Sequence, residues 1–329
     1  MGKLRLVSVG AGIALGALTL STGHAQAAES RAYPTKPIRL VLPFPPGGGV
    51  DVVARIMAPK LSETLGQQVI VDNRGGAAGN IAAEIVAKSP PDGYTLLLGF
   101  STVMTVNKSL YPNLPFDPKD FEPITQLSTS QYVLIVHPSL PVKSVAELVR
   151  LAKARPRALN YSSAGVASPL HLAGELFKSR AGIDMVHVPY KGGGPAATAV
   201  VTGEAQVVFG SVAASLGHIN AGKLRALAVT GLKRSSLAPE LPTIHESGYP
   251  NFNVTAWQSY LAPAGTPREI VNRIHSATVE VLRVPDIVKA VNKAGNEVTA
   301  TTPEQLAQII RSESDVWAKV IKFANIRAD

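Results

Sequence analysis

Four times in this chain an apolar, strand-type run breaks at a small-residue loop and resumes as a helix-type run. The first loop is Pro43-Phe44-Pro45-Pro46-Gly47-Gly48-Gly49, ahead of Asp51. The second is Asn73-Arg74-Gly75-Gly76-Ala77-Ala78-Gly79, ahead of Ile81. The third and fourth are Ser162-Ser163-Ala164-Gly165-Val166-Ala167-Ser168 before Pro169, and Tyr190-Lys191-Gly192-Gly193-Gly194 before Pro195. A chain that repeats strand, loop and helix is constrained to parallel sheets with crossover helices. Ligands in such sheets sit beyond the carboxyl ends of the strands, where these loops fall. Each loop also opens a helix, whose first N–H groups lack partners and carry partial positive charge. Four such ends, two in each half, predict a cleft that holds an anion.

The spacing predicts strands at 38–44, 68–72 and 95–99, with helices at 51–65 and 81–87 between them. A second series follows. It has strands at 132–137, 160–163, 185–189, 207–209 and 224–230, and a helix opened by the capping-box pattern Ser144-x-x-Glu147. Ser168 reads as an N-cap with Pro169 in the first turn, and Gly194-Pro195 repeats that pattern. Two further capping boxes, Thr266-x-x-Glu269 and Thr302-x-x-Gln305, open long amphipathic C-terminal helices. The organisation expected is two tightly connected lobes: 28–128, 129–250, and a return segment 251–329 packing on the first. Crossings near 127–131 and 249–254 would form a hinge.

The chain begins with Lys3 and Arg5, an apolar stretch over 6–20, and the small-x-small signal Ala25-Gln26-Ala27. This predicts a secretory signal peptide at 1–27 and a soluble periplasmic product. The chain has no cysteine, which excludes disulfides, thiolate metal sites and a cysteine-linked lipid anchor. Formal net charge is +9, and +7 once Lys3 and Arg5 leave. The basic residues are scattered and aromatics few, so nucleic acid is not an expected partner; steering of an anionic ligand is. No phosphate-loop lysine motif, zinc-protease motif, nucleophile elbow or metal-ligand histidine pair occurs, and no cofactor is expected.

The ordered set of motifs resembles the Bug receptors, the extracytoplasmic solute receptors of the tripartite tricarboxylate transporter system. The carriers are Tyr33-Pro34-x-Lys36-Pro37-Ile38, the stretch from Phe44 to Arg55, and the stretch from Val71 to Gly79. Further on come Pro91-Asp92-Gly93-Tyr94-Thr95-Leu96, Val188-Pro189-Tyr190-Lys191-Gly192 and Ala262-Pro263-Ala264-Gly265-Thr266-Pro267. The resemblance spans nearly the whole mature chain. It implies a type II periplasmic-binding-protein-like α/β fold, two α/β lobes with a ligand cleft between them. It further implies a small carboxylate ligand, monomeric action without catalysis, and integral membrane transporter subunits as partners. In similar receptors the first glycine loop takes a carboxylate through backbone N–H groups and bridging waters, and the second lobe contributes the loops matching Ser163 to Ser168 and Tyr190 to Gly192. Two departures stand out: Trp257-Gln258-Ser259-Tyr260 replaces a common Trp-x-Gly, and Glu204 stands where aspartate is common.

The candidate ligand contacts are therefore Pro46, Gly47, Gly48, Gly49, Asp51, Asn73, Ala78, Gly79, Ser101 and Thr102 from the first lobe. The second lobe offers Ser163, Gly165, Ser168, His171, Tyr190, Lys191 and Gly192. Several have structural alternatives. Asp51 suits a helix cap better than an anion contact. Asn73 can donate to a ligand or hold its own turn. Ser101 and Thr102 can cap a helix, Ser168 caps first, and His171 can be a packed core histidine. Lys191 is the best candidate side-chain cation, although loop lysines are commonly just exposed. Phe44, Tyr190 and Trp257 could line a pocket. Di-, tri- and aromatic carboxylates all fit such a site. Two other classes stay open: a sensory receptor that presents its closed form to a signalling protein, and an enzyme using Ser168 with His171.

Overall fold

The computed structural model describes residues 1–2 and 33–327, so the expected signal peptide beyond its first two residues lies outside the described residues. Strand β1 (Ile38–Leu42) is buried at Ile38, Leu40, Val41 and Leu42. Burial on both faces is what a central strand of a parallel sheet requires. It pairs in parallel with β2 (Val69–Asn73) and β3 (Thr95–Phe100). Helices α1 (Gly49–Leu65) and α2 (Asn80–Ala87) make the crossovers. Short helices α3 (Ser101–Thr105) and α4 (Asn107–Leu110) follow β3.

The second series has the same build. It comprises α5 (Val145–Ala154), β5 (Asn160–Ser163), α6 (Pro169–Ala181), β6 (Val186–Pro189), α7 (Gly193–Val201), β7 (Val207–Ser211), α8 (Val212–Asn220) and β8 (Arg225–Val229). Strand β5 pairs in parallel with β6 and β7. Ser168 is the N-cap of α6, accepting the His171 N–H, with Pro169 in the first turn as expected. The cap of α7 lies earlier than expected. Gly192 takes that role with φ 112, a left-handed value that favours glycine, and Pro195 sits inside the helix.

Between the two series runs β4 (Phe121–Val136), sixteen residues where the sequence suggests a strand only from 132. Its first stretch pairs antiparallel with β9 (Thr255–Pro263), from Phe121↔Pro263 to Gln131↔Thr255. From Tyr132 onward it pairs with β7 and β8 instead. Polar residues and two register shifts hide the alternation over 121–131, which is why this half is not legible as a strand. The strand order is β2-β1-β3-β9-β4-β7-β5-β6, with β8 and the short β10 (Glu297–Val298) also on β4.

The partner switch on β4 is fastened by Thr230, which is fully buried. Its N–H donates to the Tyr132 carbonyl at 2.9 Å. Its Oγ1 accepts the Tyr132 N–H at 3.0 Å and donates to the Val254 carbonyl at 2.6 Å. The Val254 N–H returns to the Thr230 carbonyl at 3.0 Å. One side chain thus ties both segments that cross between the two series.

The C-terminal region adds α9 (Arg268–Leu282), α10 (Pro285–Lys293) and α11 (Pro303–Phe323). Thr302 and Gln305 form the full capping box of α11. The one expected at Thr266 does not form: its Oγ1 donates to the Pro263 carbonyl, and Pro267 is the N-cap of α9. At α5 only half forms, because Glu147 takes the Lys143 N–H rather than that of Ser144. Helix α11 serves two cores. Leu306 and Ile310 pack with Val41, Leu97, Trp257 and Leu261. Trp317, Val320 and Ile321 pack with the core that holds Leu134, Phe177 and Phe209. So the last helix does not pack on the first lobe alone.

Candidate functional site

The first glycine loop is held by a carboxylate clamp. Asp51 is 4% exposed and is the third residue of α1, whose N-cap is Gly48. Its carboxylate reaches back to accept the Gly47 N–H at 3.0 Å. It also accepts Arg55 Nε at 2.9 Å and Asn73 Nδ2 at 3.1 Å. Asn73 Nδ2 donates in addition to the Phe44 carbonyl, and its Oδ1 accepts from Arg55 Nη2. The Arg55 hydrogen bond, against the opposing cost of burial, holds the Asp51 carboxyl below the usual carboxylate range, helped by Gly47 and Asn73. Gly47 has φ 88, so it can turn its N–H onto Asp51 without strain.

Three candidate groups are engaged within the loop itself. Asp51 does not cap the helix, and its charge is already neutralised by Arg55. Asn73 spends both amide hydrogens and its oxygen within the clamp. The Gly47 N–H is directed at Asp51 rather than outward. Gly48 and Gly49 are exposed, and the leading N–H groups of α1 have no intrahelical acceptor. Pro46 is exposed beside them.

In the second glycine loop Ala78 is exposed, whereas Gly79 is buried against Pro43. Asn107 Nδ2 donates to the Ala78 carbonyl at 3.2 Å. Gly79 is buried with φ 91, and a Cβ there would stand 2.7 Å from Val103. Ser101 and Thr102 open α3 and border a very small gap with Pro169, Leu172, Val254, Thr255 and Trp317. They face the start of α6.

In the second series most candidate side chains are used internally. Ser163 is fully buried; its Oγ lies 2.6 Å from His187 Nε2 and 3.0 Å from the Gly165 carbonyl. Ser168 Oγ donates to the same carbonyl at 2.7 Å. His171 is 6% exposed, accepts the Ala167 N–H on Nδ1 at 3.0 Å, and stacks on His187 with centroids 3.8 Å apart. Burial pushes both imidazoles down to about 4, with Lys178 adding to the shift at His171 and His171 adding to that at His187. Tyr161 donates to Glu175 at 2.5 Å, and Lys178 donates to the same carboxylate oxygen at 2.8 Å. His171 is therefore a buried, stacked residue that borders a surface cavity with Glu175, Lys178 and His187. It makes no side-chain bond to Ser168, so the pairing an enzyme reading would need is not formed. Tyr190 is half-buried, and its N–H donates to the Ser163 carbonyl. Lys191 is exposed, and Gly192 caps α7. Trp257 is 1% exposed and donates to Glu313 on α11 at 2.8 Å, so it lines no cleft. Burial lifts the Glu313 carboxyl to about 7 against that donated bond.

What Gly48 and Gly49 do face is a cavity of 360 Å³. Its floor is one face of the central sheet: Phe100 of β3, Ala256 and Gln258 of β9, and Ser130 and Tyr132 of β4. Phe44 and Val50 wall it beside the glycines, Phe44 meeting Phe100 edge-on at 5.4 Å. Ser211 and Ala213, at the end of β7 and the start of α8, come from the second series. Ala294, Gly295 and Asn296 complete the lining. No lining side chain is charged. The site can thus offer backbone N–H groups, amides and hydroxyls against apolar and aromatic walls. Of the sequence candidates, only Gly48, Gly49 and the suggested wall residue Phe44 line it. Ser211 was findable, because Gly210-Ser211-Val212 repeats the strand-end-to-helix pattern. The floor residues come from strands whose pairing gives no local signal.

Among the described residues no helix is long and apolar enough to cross a membrane, and no cluster of three His, Asp or Glu could hold a metal ion. The family model described as the tripartite tricarboxylate transporter family receptor matches residues 53–326. A Pseudomonas sp. (strain P51) protein, the UPF0065 protein in the tcbD-tcbE intergenic region, is 41% identical, covering 100% of this chain and 96% of its own. The solved structure of R. palustris Rpa4515 with adipate is 38% identical, covers 90% of this chain and 99% of its own, and has a TM-score of 0.72. That of MatC from Rhodopseudomonas palustris with bound malate is 30% identical, covers 88% and 100%, and has a TM-score of 0.69. The α/β architecture fits these matches, and the chain belongs to the receptor family of the tripartite tricarboxylate transporters.

Proposed function

We propose that this chain is a periplasmic receptor that captures a small organic carboxylate in the cavity at Gly48 and Gly49 and hands it to the membrane subunits of a tripartite transporter. The observation that carries this is the clamped loop. Asp51, Arg55 and Asn73 fix the first turn of α1 so that its remaining N–H groups open on an uncharged cavity. A helix N-terminus favours an anion, and a preformed one binds without a cost for ordering the loop. Two family members are seen with carboxylates, adipate and malate. The leader at 1–27 exports the chain, which acts as a monomer. The lobes 28–128 with 251–329, and 129–250, close about the crossings that Thr230 fastens. Closure carries Ser211 and Ala213 toward the glycines and encloses the ligand. The loops at Ser163 to Ser168 and Tyr190 to Gly192 belong to the closing face of the second lobe.

Thermal denaturation of the ligand-free mature chain against mono-, di-, tri- and aromatic carboxylates tests the reading. A true ligand at one hundred times its Kd adds about 2.7 kcal/mol. That raises Tm by a few degrees for a chain of this size. A flat response to every carboxylate from refolded, ligand-free protein refutes it.

A further inference from the structure

The cavity floor carries a hydrogen-bond acceptor that the protein itself leaves unused. Gln258 is 4% exposed, lines the cavity, and its Oε1 is enclosed without a partner among the described residues. The orientation of its amide is set by its neighbours. Asn296 Nδ2 donates to the Ala294 carbonyl at 3.1 Å, which turns Asn296 Oδ1 toward Gln258. Gln258 Nε2 donates to that oxygen at 3.5 Å. A flipped Gln258 would set oxygen against oxygen, so Oε1 is the free atom. The bond that holds the amide is long, and the side chain can turn its oxygen to a donor at little cost.

In sheet register Gln258 stands between Phe100 on β3 and Ser128 on β4, on one face. The next cross-strand pair on that face is Ala256 with Ser130. Ser128 Oγ is likewise buried without a partner. A serine hydroxyl both donates and accepts, so it does not choose between ligands. A glutamine carbonyl only accepts. It is satisfied by a ligand that brings a hydroxyl or amino hydrogen, and left unpaired and desolvated by one that does not. A site with a buried polar group rejects the analogue that lacks its partner far more strongly than an apolar pocket rejects a missing methylene.

We infer that Gln258 is a specificity-determining residue that selects a carboxylate bearing a hydroxyl or amino substituent on an otherwise apolar body. This rests on the carboxylate reading above. The anionic group lies at Gly48 and Gly49, the body lies against Phe44, Phe100 and Tyr132, and the substituent reaches the floor at Gln258. The uncharged lining suits one carboxylate at the glycine end rather than several around the cavity.

Matched pairs test it by titration calorimetry on the ligand-free mature chain: benzoate with 4-hydroxybenzoate, hexanoate with 6-hydroxyhexanoate, 3-phenylpropionate with phenylalanine, and succinate with malate. The expected result is a pair whose substituted member binds at least tenfold more tightly. In Gln258→Met, which keeps the length and removes the carbonyl, the ratio falls to within about threefold of one. In Ser128→Ala, which removes the hydroxyl opposite Gln258, the preference persists. Equal binding within the pairs by the unaltered chain overturns the inference and leaves the carboxylate reading standing, with no variant needed to fold. A preference that persists in Gln258→Met, or is lost in Ser128→Ala, overturns the assignment to Gln258. No binding by either member of any pair overturns the inference, and a flat thermal response to every carboxylate as well overturns the carboxylate reading itself.

Discussion

Thr230→Val isolates the fastening between the two series. The change keeps the shape of the side chain and removes only Oγ1. That atom accepts the Tyr132 N–H at 3.0 Å and donates to the Val254 carbonyl at 2.6 Å. Thr230 is fully buried and Tyr132 is 8% exposed, so water cannot replace the bonds without opening the core. The Tyr132 amide is left unpaired at about 1–3 kcal/mol, and the lost bond to Val254 adds about 1 kcal/mol. The sum is a loss of about 3 kcal/mol. Thr230→Ser keeps the hydroxyl and gives up one buried methyl, a loss of about 1 kcal/mol. Urea unfolding of the ligand-free mature chain, monitored by Trp257 and Trp317 fluorescence, reads both. Unchanged m-values would show that the unfolded state is unaffected. A valine variant within about 0.5 kcal/mol of the parent would refute the account of the crossing, since that is the scatter expected of a change at an unimportant site.

Three further outcomes follow from the site and its surroundings. Gly48→Asp places a carboxylate at the proposed anion position; Gly48 has φ −78 and a Cβ there meets only the Pro45 carbonyl at 3.8 Å, so the variant should fold while carboxylate binding is lost, and retained affinity would remove Gly48 from the site. Glu313→Gln keeps an acceptor for Trp257 and removes a carboxyl whose folded value of about 7 lies above its unfolded one. The stability tied to protonated Glu313 is full below about pH 4.5 and lost as pH rises through 7. Discounting for its half-buried position, the glutamine variant gains about 1–2 kcal/mol at pH 8, and an unchanged urea midpoint there contradicts this. The stacked histidines act with the opposite sign. Their folded values of about 4 lie below the unfolded 6.5, so the unfolded chain binds the extra protons, and stability is full above 6.5 and lost as pH falls to 4. In the Glu313→Gln background the urea unfolding free energies at pH 7 and pH 4 should differ by about 3 kcal/mol for His171 alone, and adding His171→Gln should remove that share of the slope.

Much of the scaffold is written in local pattern. Runs ending at glycine loops mark β1, β2, β5 and β6 within a residue or two, and Ser168 with Pro169 and Thr302 with Gln305 mark two helix starts because capping is a short-range interaction. What escapes depends on contacts distant in sequence. The first half of β4 reads as polar because its Ser128 and Ser130 share a face with the cavity floor, and its partner strand lies more than a hundred residues on. Asp51 looks like a cap from its place after the glycines. Arg55 is its neighbour one helical turn on, but only the folded chain brings Asn73 and the Gly47 N–H to it and shows that the carboxylate steadies the loop. In the second lobe, Ser163 and His171 sit at a strand end and a helix start, where ligands bind. His187, brought alongside by β6, draws both into the interior instead. Gln258 fills the unspecified position of the Trp-x-Gly pattern, so the sequence does not single it out. Its meaning depends on Asn296 and Ser128, which no local pattern joins to it.

Helix α11 has a mechanical consequence. Its 21 residues span about 30 Å. One end is sunk beside Leu97 and the other beside Phe209. A stiff rod seated in both cores resists any motion that pulls them apart, because that would draw Trp317, Val320 and Ile321 into water. Rotation about the rod keeps the two cores at one separation, so it exposes less apolar surface than pulling them apart. A twist about the rod, like a door on a pin, is therefore the expected direction of a ligand-driven motion, rather than the spreading of a jaw. Spin labels at the exposed Lys88 and Lys191 would change separation on ligand binding while amide exchange at Val320 stays slow. Fast exchange at Val320 in the ligand-free form would mean that the rod lets go.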